Sequence, residues 1–183
     1  MCYVNNHDVY VLLAVSLPVV KDIQEERYIV TELRCPECGA VIPEDKESCR
    51  DMFDEILARE FSDPGYGQVL RLTLDAYALQ HPGSYMNSFS SHAAHLTGLC
   101  IAFEYNGGLE RENLLKKWYD RKPNFLKVSK PSDLGKLTIA DILDADTPEE
   151  HSARVREWAQ DAWNAWSEHH DTVRFWIKEA IGE

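Results

Sequence analysis

The chain has 183 residues, enough for one domain with a core of its own and no need of disulfide staples. With 44% hydrophobic and 27% charged residues, its composition is that of a globular protein and not of a disordered one. The formal net charge of −12 argues against nonspecific nucleic-acid or anionic-membrane binding, which needs a cationic surface, and leaves protein, small-molecule or metal partners.

The first apolar run is VYVLLAVSLPVV, Val9–Val20. No lysine or arginine precedes it and no A-x-A cleavage pattern follows, so it does not read as a signal peptide. At 12 residues, broken by Pro18, it is too short to span a bilayer. Its β-branched content predicts a buried strand, and ERYIVTEL, Glu26–Leu33, is a candidate hairpin partner across a loop at Lys21–Glu25. We therefore read residues 1–33 as an N-terminal extension and residues 34–183 as the main domain.

The next stretch, RCPECGAVIPEDKESC, carries three of the five cysteines. An odd, clustered set fits a reducing cytoplasm and metal or redox chemistry better than a disulfide framework. C-x-x-C followed by glycine is the turn of a zinc knuckle: two thiolates two residues apart reach one ion, and Gly39 lets the backbone fold under it. Cys49 opens a helix that Ser48 caps, with Asp51 in the position of a capping box. The helix dipole there favours the thiolate that zinc requires. A closed structural site needs a fourth ligand. Cys2 and Cys100 are remote in sequence, so histidine is expected. His81 is the first candidate, at the end of the helix that packs antiparallel on the Cys49 helix, with His92 and His95 next. Two readings compete with a zinc site: Cys49 as a core residue, and Cys35 with Cys38 as a redox pair.

From Cys49 onward helical spacing dominates. Cys49, Met52, Phe53, Ile56, Leu57 and Phe61 line one face, and Asp63-Pro64 ends that helix and can start the next. The second helix, YGQVLRLTLDAYALQH, places Leu70, Leu74, Tyr77 and His81 on one side and stops at Pro82. The third runs from about Ser91 to Tyr105, with His92, His95, Leu96, Leu99 and Phe103 on one side and Gly107-Gly108 after it. A fourth is predicted over Glu110–Asp120. A polar loop follows, then LTIADILDA as a short helix capped by Thr138. Thr147 caps the next helix, with Pro148 first and Glu149 and Glu150 favouring the dipole. Val155, Trp158, Ala162 and Trp166 form its apolar stripe, and HDTVRFWIKEAI restarts after a break near His170. Trp158, Trp163, Trp166 and Trp176 read as core, and Cys100 as a small core residue. His7 and His151 read as surface residues.

His92 and His95, three apart, point to one side of their helix. With Asp75 and with His169 or His170 they form a possible second metal site, of the kind that keeps an open position and activates water. Asp75 would orient a ligating histidine, or else form an exposed i,i+4 pair with Arg71. Gln80 would bond a buried backbone group near its turn. No P-loop, G-x-G-x-x-G, G-x-S-x-G or H-E-x-x-H is present in the sequence.

CPECGA and DAYALQHP, with AAHLTGLC, GKLTIADIL and REWAQDAWNAW before HH, resemble a bacterial family catalogued as domain of unknown function 5946. The resemblance runs from about Cys35 to the C-terminus. It implies that Cys35, Cys38, Asp75, Gln80, His81, Trp158 and Trp163 belong to the family's motifs, and it implies no reaction. The resemblance implies that many relatives carry a histidine ahead of the aspartate, in a pattern like VHRLTVDAY; here the stretch reads VLRLTLDAY, with Leu70 in that place, which counts against a histidine-based enzyme.

The expected fold is mainly α: a helical bundle with an N-terminal zinc knuckle and possible small β-hairpin. The expected function is a zinc-stabilised, noncatalytic binding or interaction module held by Cys35, Cys38, Cys49 and His81. The alternative is a metal-dependent, hydrolase-like enzyme using His81, His92, His95 and His169 or His170.

Overall fold

In a computed structural model of the chain, residues 32–86, 88–105, 113, 116–118, 120–121 and 127–181 are described. All belong to one unit, Glu32–Glu183. The expected hairpin from Val9–Val20, and His7, lie outside the described residues.

The fold is mainly helical. A short knuckle, marked by an antiparallel bridge between Arg34 and Val41, leads into α1, Cys49–Ser62. Ser48 Oγ accepts from Asp51 N, and Asp51 returns the bond to Ser48 N, so the capping box forms as predicted. A 3-10 turn, Tyr66–Val69, runs directly into α2, Leu70–Gln80. Pro64 therefore ends α1 but does not open α2. One helical turn, α3, Pro82–Tyr85, connects to α4, Phe89–Glu104, which Ser88 caps. The predicted helix over 110–120 is largely outside the described residues; Asn113, Lys116, Lys117, Trp118 and Asp120 are helical. LTIADILDA folds as a 3-10 turn, Ile139–Ile142, with a capping box between Thr138 and Asp141. Next come α5, Pro148–Ala165, capped by Thr147, then a 3-10 turn, Ser167–His169, and α6, His170–Ile181.

The bundle is organised around α2, which packs against α1, α4 and α5. Amphipathic spacing predicts one buried face; instead Leu72, Thr73, Asp75, Ala76, Tyr77, Ala78, Leu79 and Gln80 are all buried, while Leu70 and Leu74 are only partly covered. A helix enclosed on several sides keeps its polar residues only if each finds a partner inside. Thr73 Oγ1 donates to Glu60 on α1 at 2.6 Å. Gln80 Nε2 donates to the carbonyls of Leu134 and Leu137 at 3.0 and 2.7 Å, and its Oε1 accepts from Trp158 Nε1 at 2.9 Å. Gln80 thus bonds buried backbone, though in a loop more than fifty residues away and not in its own turn. Val155, Trp158, Ala162 and Trp166 form the buried stripe of α5, and Trp163, Trp176 and Cys100 are core residues.

Three expectations are corrected. Phe61 stands 72% exposed although Glu60 beside it is buried, because the covered face of α1 runs through Met52, Phe53, Ile56 and Glu60 and Phe61 lies off it. His151 is fully buried, its Nε2 2.8 Å from Glu60 Oε1. Asp75 does pair with Arg71, but as a buried carboxylate. No helix among the described residues is long and apolar enough to cross a membrane.

A candidate metal centre

The knuckle is built by its own backbone. Cys35 N donates to Ala40 O and Gly39 N to Cys35 O, both at 2.9 Å. This closes the turn around Pro36-Glu37-Cys38. Gly39 closes it with φ of 76°, a conformation that side chains disfavour. Cys35 and Cys38 come to one side of the turn and meet Cys49, the first residue of α1. His81 arrives from the C-terminal end of α2. The antiparallel course of α1 and α2 brings the start of one beside the end of the other.

One ligand atom from each of the four residues lies within 4.8 Å of the others. Among the described residues this is the one set of three or more histidine, cysteine, aspartate or glutamate ligand atoms so gathered. Cys38 Sγ is 3.7 Å from Cys49 Sγ, and His81 Nε2 is 3.3 Å from Cys49 Sγ and 3.5 Å from Cys35 Sγ. A tetrahedron with metal–sulfur bonds of about 2.3 Å and metal–nitrogen bonds of about 2.0 Å has S···S edges of roughly 3.8 Å and S···N edges of roughly 3.5 Å. The three separations match those edges. Cys35, Cys49 and His81 are buried and Cys38 partly so. The set can hold a metal ion and encloses it on most sides.

Neighbouring groups set each ligand. His81 Nδ1 donates to Tyr77 O at 2.7 Å, which leaves the Nε2 lone pair for the sulfur side. The imidazole stacks on Tyr77 at 3.9 Å, and Tyr77 stacks on Phe53 at 3.8 Å, so the ring cannot turn away. Cys38 Sγ and Cys49 Sγ lie within hydrogen-bonding distance of each other. The hydrogen bond from Cys49 is the main cause that holds Cys38 down to about 4, against the cost of burial, with help from His81 and the Ala40 backbone. The same hydrogen bond, then burial, pushes Cys49 up, the reverse of the lowering expected from its place at the start of α1. A cation held by the set would supply the charge that favours further thiolates. Burial and the adjacent sulfurs push the Tyr77 hydroxyl up as well, which keeps it a donor towards Cys49.

A model described as a family of unknown function (DUF5946) matches residues 33–167. The chain belongs to this family. The matched span contains all four residues of the DUF5946 chain's candidate ligand set, together with Asp75, Gln80, His92 and His95, and ends before His169 and His170. Neither a curated protein nor a solved structure matches.

The remaining candidate residues lie elsewhere. Asp75 pairs with His95 between α2 and α4, and His92 sits one turn before His95. His169 Nε2 donates to Ser129 O at 2.8 Å. His170 donates to Trp163 O at 2.9 Å and stacks on Trp163. Two features of this region had no sequence signal. Glu37, inside the CPEC turn, accepts from Gly83 N at 2.7 Å and from Ser84 Oγ at 3.0 Å. A cleft of about 430 Å³ runs between the knuckle's outer face and the loop from Lys130 to Gly135.

Proposed function

We propose that Cys35, Cys38, Cys49 and His81 hold one zinc ion that fastens the knuckle to α1 and α2, and that the domain is a noncatalytic binding or interaction module. The observation that carries this reading is the match of the sulfur–sulfur and sulfur–nitrogen separations to tetrahedral edges, in a set that is mostly buried. Three thiolates and an imidazole in that shape select zinc over the oxygen-seeking cations. Bound there, zinc supplies no redox chemistry and, with four protein ligands, no open position for substrate. Its contribution is folding energy. The chain's own residues do the rest: Tyr77 orients His81, Ala40 N–H and the Tyr77 hydroxyl donate to sulfur, and Glu37 bridges to the turn after His81.

Reduced thiols in a ligand set fit the cytoplasm. The acidic chain would meet a protein or small-molecule partner, and the cleft beside the knuckle, with Lys130, Asp133 and Glu37 on its walls, is the place we assign to it.

Metal content by mass spectrometry tests the reading, on tag-free protein purified without added metal. One zinc per chain is expected, absent in Cys35→Ser and reduced in His81→Ala, with loss of helical signal on chelation. A folded, metal-free wild type would overturn it, as would zinc removal that leaves the fold intact.

A further inference from the structure

Asp75 is completely buried on α2, and its carboxylate is held from three directions. Arg71, one turn earlier, places Nε 3.0 Å from Oδ2 and Nη2 2.9 Å from Oδ1. His95 on α4 donates Nδ1–H to Oδ1 at 2.9 Å. Gly98 packs on the far side so closely that a Cβ there would lie 2.1 Å from Oδ2. A carboxylate fixed in this way fixes the imidazole that it accepts from. The His95 proton sits on Nδ1, and Nε2 presents its lone pair from a side chain that is 20% exposed.

His92 lies one turn before His95 on the same side of α4. Its Nε2 is buried and has no hydrogen-bond partner. Burial first, then the nearby His95 and His169, hold its pKa down to about 4, so the ring is neutral at physiological pH. The Trp166 ring stands 5.7 Å from His92 and 5.8 Å from His169, and Trp166 Nε1 is also buried without a hydrogen-bond partner.

Packing does not account for this arrangement. A half-buried histidine used as filler loses stability for its unpaired nitrogen, and an apolar ring of similar size would not. A buried water would satisfy His92 but would not explain why the Arg71-held carboxylate also fixes the His95 ring. A carboxylate that fixes one nitrogen of an imidazole and frees the other is how metal-ligating histidines are commonly oriented. We infer that His92 and His95 together bind a divalent transition-metal ion through their Nε2 atoms, with Asp75 as the positioning residue for His95. Two imidazoles suit borderline ions such as Ni²⁺, Co²⁺, Cu²⁺ or Zn²⁺ over Mg²⁺ or Ca²⁺. Further coordination positions remain for water or for His169, which would first release Ser129 O. The inference is independent of what the cysteine site holds.

The test is titration of tag-free protein, carrying its resident metal, with Ni²⁺ in a calorimeter, and equilibrium dialysis with metals counted by mass spectrometry. One Ni²⁺ per chain beyond the resident metal is expected. His92→Gln and His95→Gln should each weaken it at least ten-fold, and Asp75→Asn by roughly 10–100-fold. Co²⁺ should give a visible ligand-field band that shifts in Asp75→Asn, a change that a purely structural role of Asp75 would not produce. Because a variant can fail to fold, the site is also mapped on the wild type: Ni²⁺ should broaden the amide resonances around His92–Leu96 by paramagnetic relaxation. No Ni²⁺ beyond the resident metal would overturn the inference. So would equal binding by folded variants, or broadening confined to residues away from α4.

Discussion

Glu37 Oε2 accepts the backbone N–H of Gly83 at 2.7 Å, across 46 residues of chain. Glu37 sits between the two cysteines of the knuckle, and Gly83 follows His81 by two residues. The bond therefore aligns two ligand-bearing segments before any ion arrives. Its second oxygen takes Ser84 Oγ at 3.0 Å. Glu37→Ala should leave the cysteines untouched yet lower metal affinity several-fold, with a stability loss on the order of 1 kcal/mol. Competition against a chromophoric chelator would measure it; unchanged affinity would show that the knuckle aligns itself.

Glu60 and His151 form a fully buried pair, 2.8 Å apart, with Thr73 as a third member. Removing one partner strands the other in the core, so Glu60→Ala should cost about 3–5 kcal/mol. The double change Glu60→Met with His151→Phe replaces both by apolar groups and should cost clearly less than the sum of the single changes. Urea unfolding of the wild type, Glu60→Met, His151→Phe and the double variant would decide it; additive losses would sink the claim that the two residues act as a unit.

Gly98 sets two effects against each other. Alanine is the better helix former by about 1 kcal/mol in an exposed interior position. Against that stands a Cβ placed 2.1 Å from Asp75 Oδ2. The carboxylate is held by Arg71 and His95 and cannot retreat without breaking bonds, so the clash wins. Gly98→Ala should destabilise by about 1–3 kcal/mol, and Asp75→Ala in the same chain should relieve part of the loss. A thermal melt that rises for Gly98→Ala would reverse the ranking.

His92 predicts a pH dependence. The unfolded chain takes a proton at this histidine near pH 6.5. The folded chain takes it only near pH 4, because burial opposes the charge. Between those values the unfolded state holds more protons, so stability is full above about pH 6.5 and falls as the pH drops towards 4. The effect is on the order of 1 kcal/mol after discounting for partial solvent exposure. His92→Phe should flatten the curve in that window and leave the neutral limb in place. Equal slopes for the two proteins would remove His92 from the account.

Local chemistry explains why some of this is legible in the amino-acid order. Capping boxes at Ser48 and Thr138, the Thr147-Pro148 helix start and the C-x-x-C-G turn depend on residues within a few positions of one another. His81 could be weighed as a ligand because two consecutive helices must run antiparallel when their connection is short. Burial of His151 could not be read in this way. Its partner Glu60 lies 91 residues away, and a histidine in the first turn of a helix looks like any exposed one until the opposing helix is in place. The full burial of Asp75 and the distant partners of Gln80 are illegible for a related reason. An isolated helix shows a polar face, and only the neighbours around α2 convert that face into an interior. Phe61 departs in the other direction: the apolar spacing includes it, but the face that the neighbouring elements cover ends in this turn on the polar Glu60.

Gln80 and His81 are consecutive, and their side chains leave the end of α2 for different parts of the molecule. One grips the loop at Leu134 and Leu137, the other completes the cysteine set. The same loop forms a wall of the cleft beside the knuckle. A ligand that shifts Leu134 on entering that cleft would pull on Gln80 and, through one peptide unit, on His81. Thermodynamic linkage then makes the exchange mutual: whatever factor the ligand imposes on metal affinity, the metal imposes on the ligand. If the cysteine set holds an ion, occupancy of the cleft would then follow the supply of that ion.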